Sequence, residues 1–100
     1  MATKSYKKWK RDRLQDNEYA AMYLHTSLEE SLKDHDYESF LLALKYVIEA
    51  NGSVQEVAKK ANITRQHLHR LIQGKGNPTI QTLAGILKAV GISIDLVPNK

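Results

Sequence analysis

Residues 53–73 read SVQEVAKKANITRQHLHRLIQ, and this stretch says most about how the chain folds. Ser53 and Glu56 stand three residues apart in the pattern of a capping box, in which each side chain accepts a hydrogen bond from the other's backbone amide. The break at residues 62–63 and the capping residue Thr64 predict that a second short helix follows. Two short helices joined by a tight turn have the spacing of a helix-turn-helix.

The second helix of this pair has one apolar face and one polar face. Leu68, Leu71 and Ile72 are expected to be buried, Leu68 and Leu71 can pack with Val57 of the first helix, and the polar side chains point outward. In helix-turn-helix proteins the first residues of the second helix contact base edges. Arginine can bond guanine O6 and N7 together, and glutamine can bond adenine N6 and N7, so we predict that Arg65 and Gln66 read bases. Contacts to DNA phosphates are predicted for Gln55, His69, Arg70, Gln73 and Lys75.

Three longer helices are predicted around this pair. Apolar residues recur every three or four positions in residues 16–34 and 37–51, and again after the Gly/Asn/Pro-rich turn at residues 74–78. The inward faces are expected to include Leu32 of the first helix, and Ile80 and Ala84 of the last. These patterns predict an all-α fold of five helices.

Residues 92–97 read ISIDLV and alternate mostly with period two, which predicts one β-strand at the C-terminus. A lone strand has no partner in an otherwise helical chain, and an unpaired strand edge is unstable. Pairing with the same strand of a second copy about a two-fold axis would satisfy it. We therefore predict a homodimer in which Ile92, Ile94 and Leu96 form the dimerisation strand and cover the helical core.

The net charge of +4 is small, but the charges are unevenly distributed. Residues 1–13 carry a net charge of +5, residues 14–51 carry −6, and residues 52–100 carry +5. A basic C-terminal half favours a polyanionic partner, and the acidic middle would be repelled by one. Many proteins that never meet DNA also have uneven charge, so charge alone only favours nucleic acid.

Residues 1–15 are interpreted as a basic N-terminal arm that precedes a helix-turn-helix domain of residues 16–97. The arm is either frayed or a short helix that docks the rings of Tyr6 and Trp9. Its cations can contact phosphate, enter a minor groove, bind an acidic partner protein or stay solvated. The acidic helix that follows is a surface for a basic protein, with a plain solvated face as the alternative.

The sequence disfavours several other classes of protein. The absence of cysteine removes disulfides, thiolate zinc sites and cysteine nucleophiles. The longest apolar runs are far short of the ~20 residues that span a bilayer, and the basic N-terminus leads into no apolar signal segment. His67 and His69 are two positions apart, so a helix points them to nearly opposite sides rather than toward one metal. We expect a cytoplasmic protein that does not bind membranes, is not an enzyme, and needs no cofactor or metal.

A wider pattern resembles a known family. Residues 55–74 are similar to the helix-turn-helix of lambda-repressor-like proteins, and the chain more broadly resembles the antidote proteins (antitoxins) of toxin–antitoxin addiction modules. The matching motifs are Tyr23-Leu24, Phe40-Leu41-Leu42-Ala43-Leu44, Thr64-Arg65, Asn77-Pro78-Thr79-Ile80 with Thr82-Leu83, and Gly91-Ile92-Ser93-Ile94. The chain departs from this pattern at Val54, where many members have the glutamine that here comes next as Gln55, and at His69, where members often have tyrosine.

The resemblance implies a sequence-specific DNA-binding antitoxin that represses its own operon and neutralises a co-encoded toxin by direct contact. It implies a double-stranded operator, with an inverted repeat, and a small basic toxin. The alternatives are a solitary or phage-type helix-turn-helix regulator without a toxin, an interaction adaptor that has lost DNA affinity, and, least favoured, an enzyme. A small basic reading frame beside the gene would separate the first alternative from the antitoxin, and a salt-dependent gel shift would separate both from the adaptor.

Overall fold

A computed structural model describes residues 4–99, with side chains described from residue 8 onward. Over this part of the chain the fold is all-helical. The six helices are α1 (Lys4–Leu14), α2 (Asn17–Asp34), α3 (Glu38–Ala50), α4 (Val54–Ala61), α5 (Arg65–Ile72) and α6 (Ile80–Ala89). Helices α2 to α6 begin and end at nearly the residues that the sequence predicts.

Side-chain caps start several of these helices. Ser53 Oγ accepts a hydrogen bond from the Glu56 amide at 3.1 Å, and Glu56 Oε1 accepts one from the Ser53 amide at 3.1 Å, so the predicted capping box is confirmed. Thr64 Oγ1 accepts from the His67 amide at 3.0 Å, and Thr79 caps α6 in the same way. Each cap satisfies an amide that the first helical turn leaves without a partner, which stabilises the helix by about 1 kcal/mol.

The predicted count of five helices is wrong, because residues 4–14 of the basic N-terminal segment form α1. Of the two alternatives for this segment, the helix is observed, but Trp9 is 51% exposed and the Tyr6 side chain lies outside the described ones. Leu14 at its end is 1% exposed. The Leu14 carbonyl accepts a hydrogen bond from Asn51 Nδ2 at 3.0 Å, and the same nitrogen donates to the Val47 carbonyl at 2.9 Å. One buried leucine and one shared amide therefore tie α1 to the end of α3.

Helix α3 lies at the centre of the core, where Leu44, Val47 and Ile48 are fully buried. It packs against α1, α2, α4 and α5, and α4 packs in turn against α5 and α6. A buried polar residue, Ser31 of α2, has its Oγ 3.2 Å from the Ser39 Oγ of α3. This contact satisfies both hydroxyls where the two helices meet, so burial of Ser31 leaves no polar atom without a partner.

Three predicted core positions are exposed. Leu32 is 55% exposed, Ile80 is 81% exposed and Ala84 is also exposed, whereas Ile86 is fully buried. The apolar residues of α6 form two neighbouring stripes, and the sequence period alone does not choose between them. Packing against α4 determines which stripe is buried. Helix α6 lies close enough to α4 to bring Gly85 against the backbone of Ala61, and the neighbouring Ile86 is buried.

The predicted β-strand at residues 92–97 is also wrong for the described chain, which has no strand there. Ile92 is half-buried against the core, but Ile94 is 49% exposed and Leu96 is 89% exposed. A strand exists only where a neighbouring strand pairs with it in a ladder of backbone hydrogen bonds, and no segment of residues 4–99 forms such a ladder with it. The alternating pattern is therefore not enough to make a strand in one copy.

None of the helices described over residues 4–99 is long and apolar enough to cross a membrane.

Candidate nucleic-acid interface

Helices α4 and α5 form the pair of short helices with a tight turn that the sequence predicts. Asn62 adopts a left-handed conformation (φ 60°), and the Ile63 amide donates to the Ala58 carbonyl at 3.0 Å. Val57 and Leu68 are buried where the two helices meet, with 2% and 0% exposure. The apolar face of α5 is thereby fixed inward, and its polar face is fixed outward.

Arg65 and Gln66 occupy the first turn of α5 and are both exposed. Thr64 caps this turn, so the helix start is held in place independently of the two side chains that it presents. Among the described residues neither side chain has a hydrogen-bond or ion-pair partner. The positive end of the helix dipole adds to the Arg65 charge here. The structure thus places both predicted base-reading residues where a ligand can reach them.

Two predicted phosphate-contacting residues are paired with each other. Gln73 Nε2 and His69 Nε2 lie 3.0 Å apart on the exposed side of α5, one turn from each other. Arg70 is exposed on the same helix. Gln55 is exposed in the first turn of α4, and no hydrogen bond among the described residues joins it to the α5 residues. The structure therefore gathers His69, Arg70 and Gln73 on one helix, with Gln55 on its neighbour.

Lys75, the last predicted phosphate contact, lies beside acidic residues that the sequence did not associate with it. Asp36 and Glu38, before and at the start of α3, line the same groove as Gln73 and Lys75. The Glu38 side chain packs against Gly74, with its Cγ 3.3 Å from the place that a Cβ would occupy. At this end of α3 the acidic segment therefore lies close to one of the predicted DNA-contacting residues.

A shallow concavity between the end of α4 and the start of α5 brings in residues that the sequence reasoning missed. It is lined by Lys59 and His67 on either side of the turn at residues 62–64. Both side chains are exposed. The signal was present in the sequence, since Lys59 stands in the last turn of α4, close to the turn that leads into α5. Lys59 extends the exposed positive charge of α5 across this turn.

Two cations of α1 lie over aromatic rings, unlike the exposed cations of α5. Lys10 Nζ lies 4.2 Å from the centre of the Tyr46 ring and 5.4 Å from the centre of the Tyr23 ring. The Arg13 guanidinium lies 4.7 Å from the Tyr19 ring centre and 5.3 Å from the Trp9 ring centre. Cations at such distances are attracted by the electron-rich ring faces. Lys10 and Arg13 therefore hold α1 onto the other helices.

The family to which this fold and surface belong follows from comparison with known proteins. Residues 6–98 match the family model described as probable addiction module antidote protein. The chain belongs to this family. An antidote protein implies a toxin that it counteracts. The match begins at residue 6, so the antidote family pattern includes residues 6–14 of α1, which the sequence patterns assign to an arm before the domain of residues 16–97.

The antidote family assignment is accompanied by a more distant relative. Over 73 residues the chain is 29% identical to an uncharacterized protein of Haemophilus influenzae (strain ATCC 51907 / DSM 11121 / KW20 / Rd). This alignment covers 73% of the chain and 74% of the relative. Among solved structures, no match to the chain was found.

Proposed function

We propose that this protein is a sequence-specific DNA-binding antitoxin, which represses its own operon and neutralises a co-encoded toxin by direct binding. Family membership supports the toxin-directed part. The observation that carries the DNA-binding part is the exposed start of α5, where Arg65 and Gln66 project from a capped helix whose other face is buried. The role is binding rather than catalysis, in the cytoplasm with the DNA.

In the proposed complex α5 is the recognition helix of a lambda-repressor-like helix-turn-helix and lies in the major groove. Arg65 and Gln66 then face base edges, because the N-terminal residues of this helix reach them in such proteins. Backbone contacts come from the flanking residues. They are Gln55, His69, Arg70, Gln73 and Lys75. Lys59 is proposed with them because it is exposed beside the turn that leads into α5. Bonds to phosphate fix the position of α5, and bonds to bases supply the specificity.

The proposed operator is an inverted repeat, which requires two copies of the protein. Two recognition helices related by a two-fold axis read half-sites about 34–36 Å apart. The C-terminal segment supports such a homodimer, because Ile94 and Leu96 expose apolar side chains next to Ile92, which already contacts the core. A second copy that covered them would remove this apolar surface from water.

The DNA-binding part is tested by measuring affinity for the DNA upstream of the gene over a series of salt concentrations. Arg65→Ala is expected to reduce discrimination at one base pair by about 1–3 kcal/mol. Lys75→Ala is expected to weaken all sequences alike and to lower the salt slope by about 1. The control is Lys33→Ala, an exposed lysine on α2 outside the proposed interface, which should change neither quantity.

Two outcomes of this experiment, and one of a binding measurement with the neighbouring protein, would contradict the proposal. An operator footprint and base preference unchanged in Arg65→Ala would show that α5 is not the recognition helix. The absence of any salt-dependent binding by the wild-type chain would favour the adaptor. A wild-type chain that binds its operator but does not bind the protein encoded by the neighbouring reading frame would favour a solitary regulator.

A further inference from the structure

Helices α2 and α3 leave an open groove between them on the surface. The groove is lined by side chains of both helices, among them Met22 and Tyr23 of α2, and Leu42 and Tyr46 of α3. Met22 is 66% exposed and Leu42 is 43% exposed. Singly exposed apolar residues are ordinary on protein surfaces, but two that line one groove with tyrosines give it an apolar part large enough to contact a partner.

The aromatic wall of this groove is held in place from outside. Tyr19, Tyr23 and Tyr46 all line it, and each ring is also contacted by a cation of α1. Lys10 lies over Tyr23 and Tyr46, and Arg13 lies over Tyr19. Rings that are already ordered lose little conformational entropy when a partner covers them. Tyrosine and methionine are also the residue types enriched at the centres of protein–protein interfaces.

The charge around the groove restricts its occupant. Glu30 is the charged side chain among the described residues that line it, and residues 14–51, which contain both helices, carry a net charge of −6. Among the described residues the lining contains no lysine or arginine for a phosphate, since Lys10 and Arg13 lie over the tyrosine rings, and a second copy that docked through the same groove would bring two Glu30 carboxylates together. A protein segment with apolar residues flanked by lysine or arginine complements both features.

We propose that the groove between α2 and α3 is the docking site for an apolar and basic segment of a protein partner. Met22 and Leu42 contact its apolar side chains, and Glu30 contacts a lysine or arginine. The inference rests on the proposed function, because the partner is then the co-encoded toxin. The α2–α3 groove and the exposed start of α5 are lined by different residues, but Leu42 also lines the neighbouring groove that contains Gln73 and Lys75, so Met22 is the position whose substitution separates the two binding activities.

The test measures binding of the protein encoded by the neighbouring reading frame to the full-length chain. Met22→Asp and Leu42→Asp are each expected to raise the Kd about tenfold or more, because a charge replaces an apolar contact at the centre of the interface. Leu32→Asp is the matched control, since Leu32 is 55% exposed on α2 but does not line the groove. It should change the Kd by less than about twofold. Operator binding by the Met22→Asp and Leu32→Asp variants shows that they are folded, and an unchanged circular-dichroism spectrum shows it for Leu42→Asp, because Leu42 also lies near Gln73 and Lys75.

The charge contribution is tested with a second matched pair. Glu30→Gln is expected to raise the Kd about threefold at low salt and to flatten its salt dependence, since a rim ion pair is worth little but is screened by salt. Glu29→Gln removes the same charge from the neighbouring position, where the carboxylate lies 3.3 Å from His25 and outside the groove lining. It should leave the salt dependence unchanged.

The outcomes separate this inference from the function on which it rests. If the wild-type chain does not bind the neighbouring protein, both are overturned. If it binds, but Met22→Asp and Leu42→Asp bind equally well, or Leu32→Asp is weakened as much, only the groove assignment is overturned. If the two groove substitutions instead convert a dimer of this chain into a monomer in sedimentation experiments, the occupant is a second copy and the proposal is wrong.

Discussion

Lysine and arginine side chains occupy two different environments among the described residues. Arg65 and Arg70 are exposed on α5, whereas Lys10 and Arg13 lie over aromatic rings of the packed helices. A cation over a ring face is stabilised by the ring quadrupole and still keeps its ammonium or guanidinium group at the edge of solvent. The basic character of α1 therefore contributes to stability as well as to the charge of the surface.

Replacing Lys10 with methionine tests this role of α1, because methionine keeps the stem of the side chain and removes its charge. We expect Lys10→Met to lower the free energy of unfolding by about 1 kcal/mol, since the ammonium no longer interacts with the Tyr46 and Tyr23 rings. In a domain of this size that corresponds to a fall in Tm of about 4–8 °C. Lys8→Met, at an exposed position of the same helix, is the control and should leave Tm nearly unchanged. Equal Tm values for the two variants would contradict the interpretation.

At the scale of the elements, the two ends of the chain attach to the core in different ways. Helix α1 is fixed by side chains: Leu14 is buried, Asn51 donates to the Leu14 carbonyl, and Lys10 and Arg13 lie over tyrosine rings. Helix α6 is fixed along its length by close packing against α4. The ideal Cβ position of Gly85 lies 3.4 Å from the Ala61 carbonyl oxygen and 3.7 Å from the Ala61 Cα, which leaves room for a methyl group and little more.

This close approach gives opposite predictions for two substitutions at Gly85. Gly85→Ala fits at ordinary van der Waals distance and removes the entropic cost of a glycine within a helix, so we expect stability to rise by about 0.5–1 kcal/mol. Gly85→Leu adds atoms for which there is no space against the α4 backbone, and we expect a loss of about 1–3 kcal/mol. Urea denaturation of both variants measures the two effects. A stable leucine variant would mean that α6 does not pack against α4 in this way.

At the scale of the whole molecule, the three sequence segments of different net charge form different helices. The acidic block forms α2 and α3, and the basic block of α1 packs against both of them. The second basic block contains α4 to α6, with the proposed recognition helix in its middle. Because Asp36 and Glu38 line a groove with Lys75, the acidic and basic surfaces meet at the end of α5. A toxin bound on the acidic surface and DNA bound on the basic one would therefore be neighbours.

The proposed homodimer is a property of the whole molecule and is tested in solution. Leu96→Lys, which places a charge on an 89% exposed apolar position, is expected to shift the chain toward monomer in analytical ultracentrifugation at tens of micromolar. Ile80→Lys is the control, because Ile80 is 81% exposed but lies outside the C-terminal segment, and it should leave the sedimentation unchanged. A wild-type chain that sediments as a monomer under these conditions would overturn the homodimer.

Local patterns in the sequence were sufficient for α2 to α6 and for the polar face of α5. Caps such as Ser53 with Glu56, and Thr64, act within a few residues, and apolar residues at helical spacing mark one face of each helix. The family resemblance came from the same local motifs. The placement of Arg65 and Gln66 at the exposed start of a capped helix could therefore be predicted without coordinates.

Other features depend on contacts between residues far apart in the chain, and no local pattern contains them. The burial of Leu14 makes α1 part of the core, and the meeting of Gly85 with Ala61 fixes which stripe of α6 is buried. The groove between α2 and α3 exists only because two helices pack while leaving Met22 and Leu42 uncovered. The sequence alone determines the helices, their caps and the polarity of their faces, because these follow from neighbouring residues. Tertiary packing decides which apolar and charged side chains are covered, because burial depends on what the rest of the chain brings to each surface.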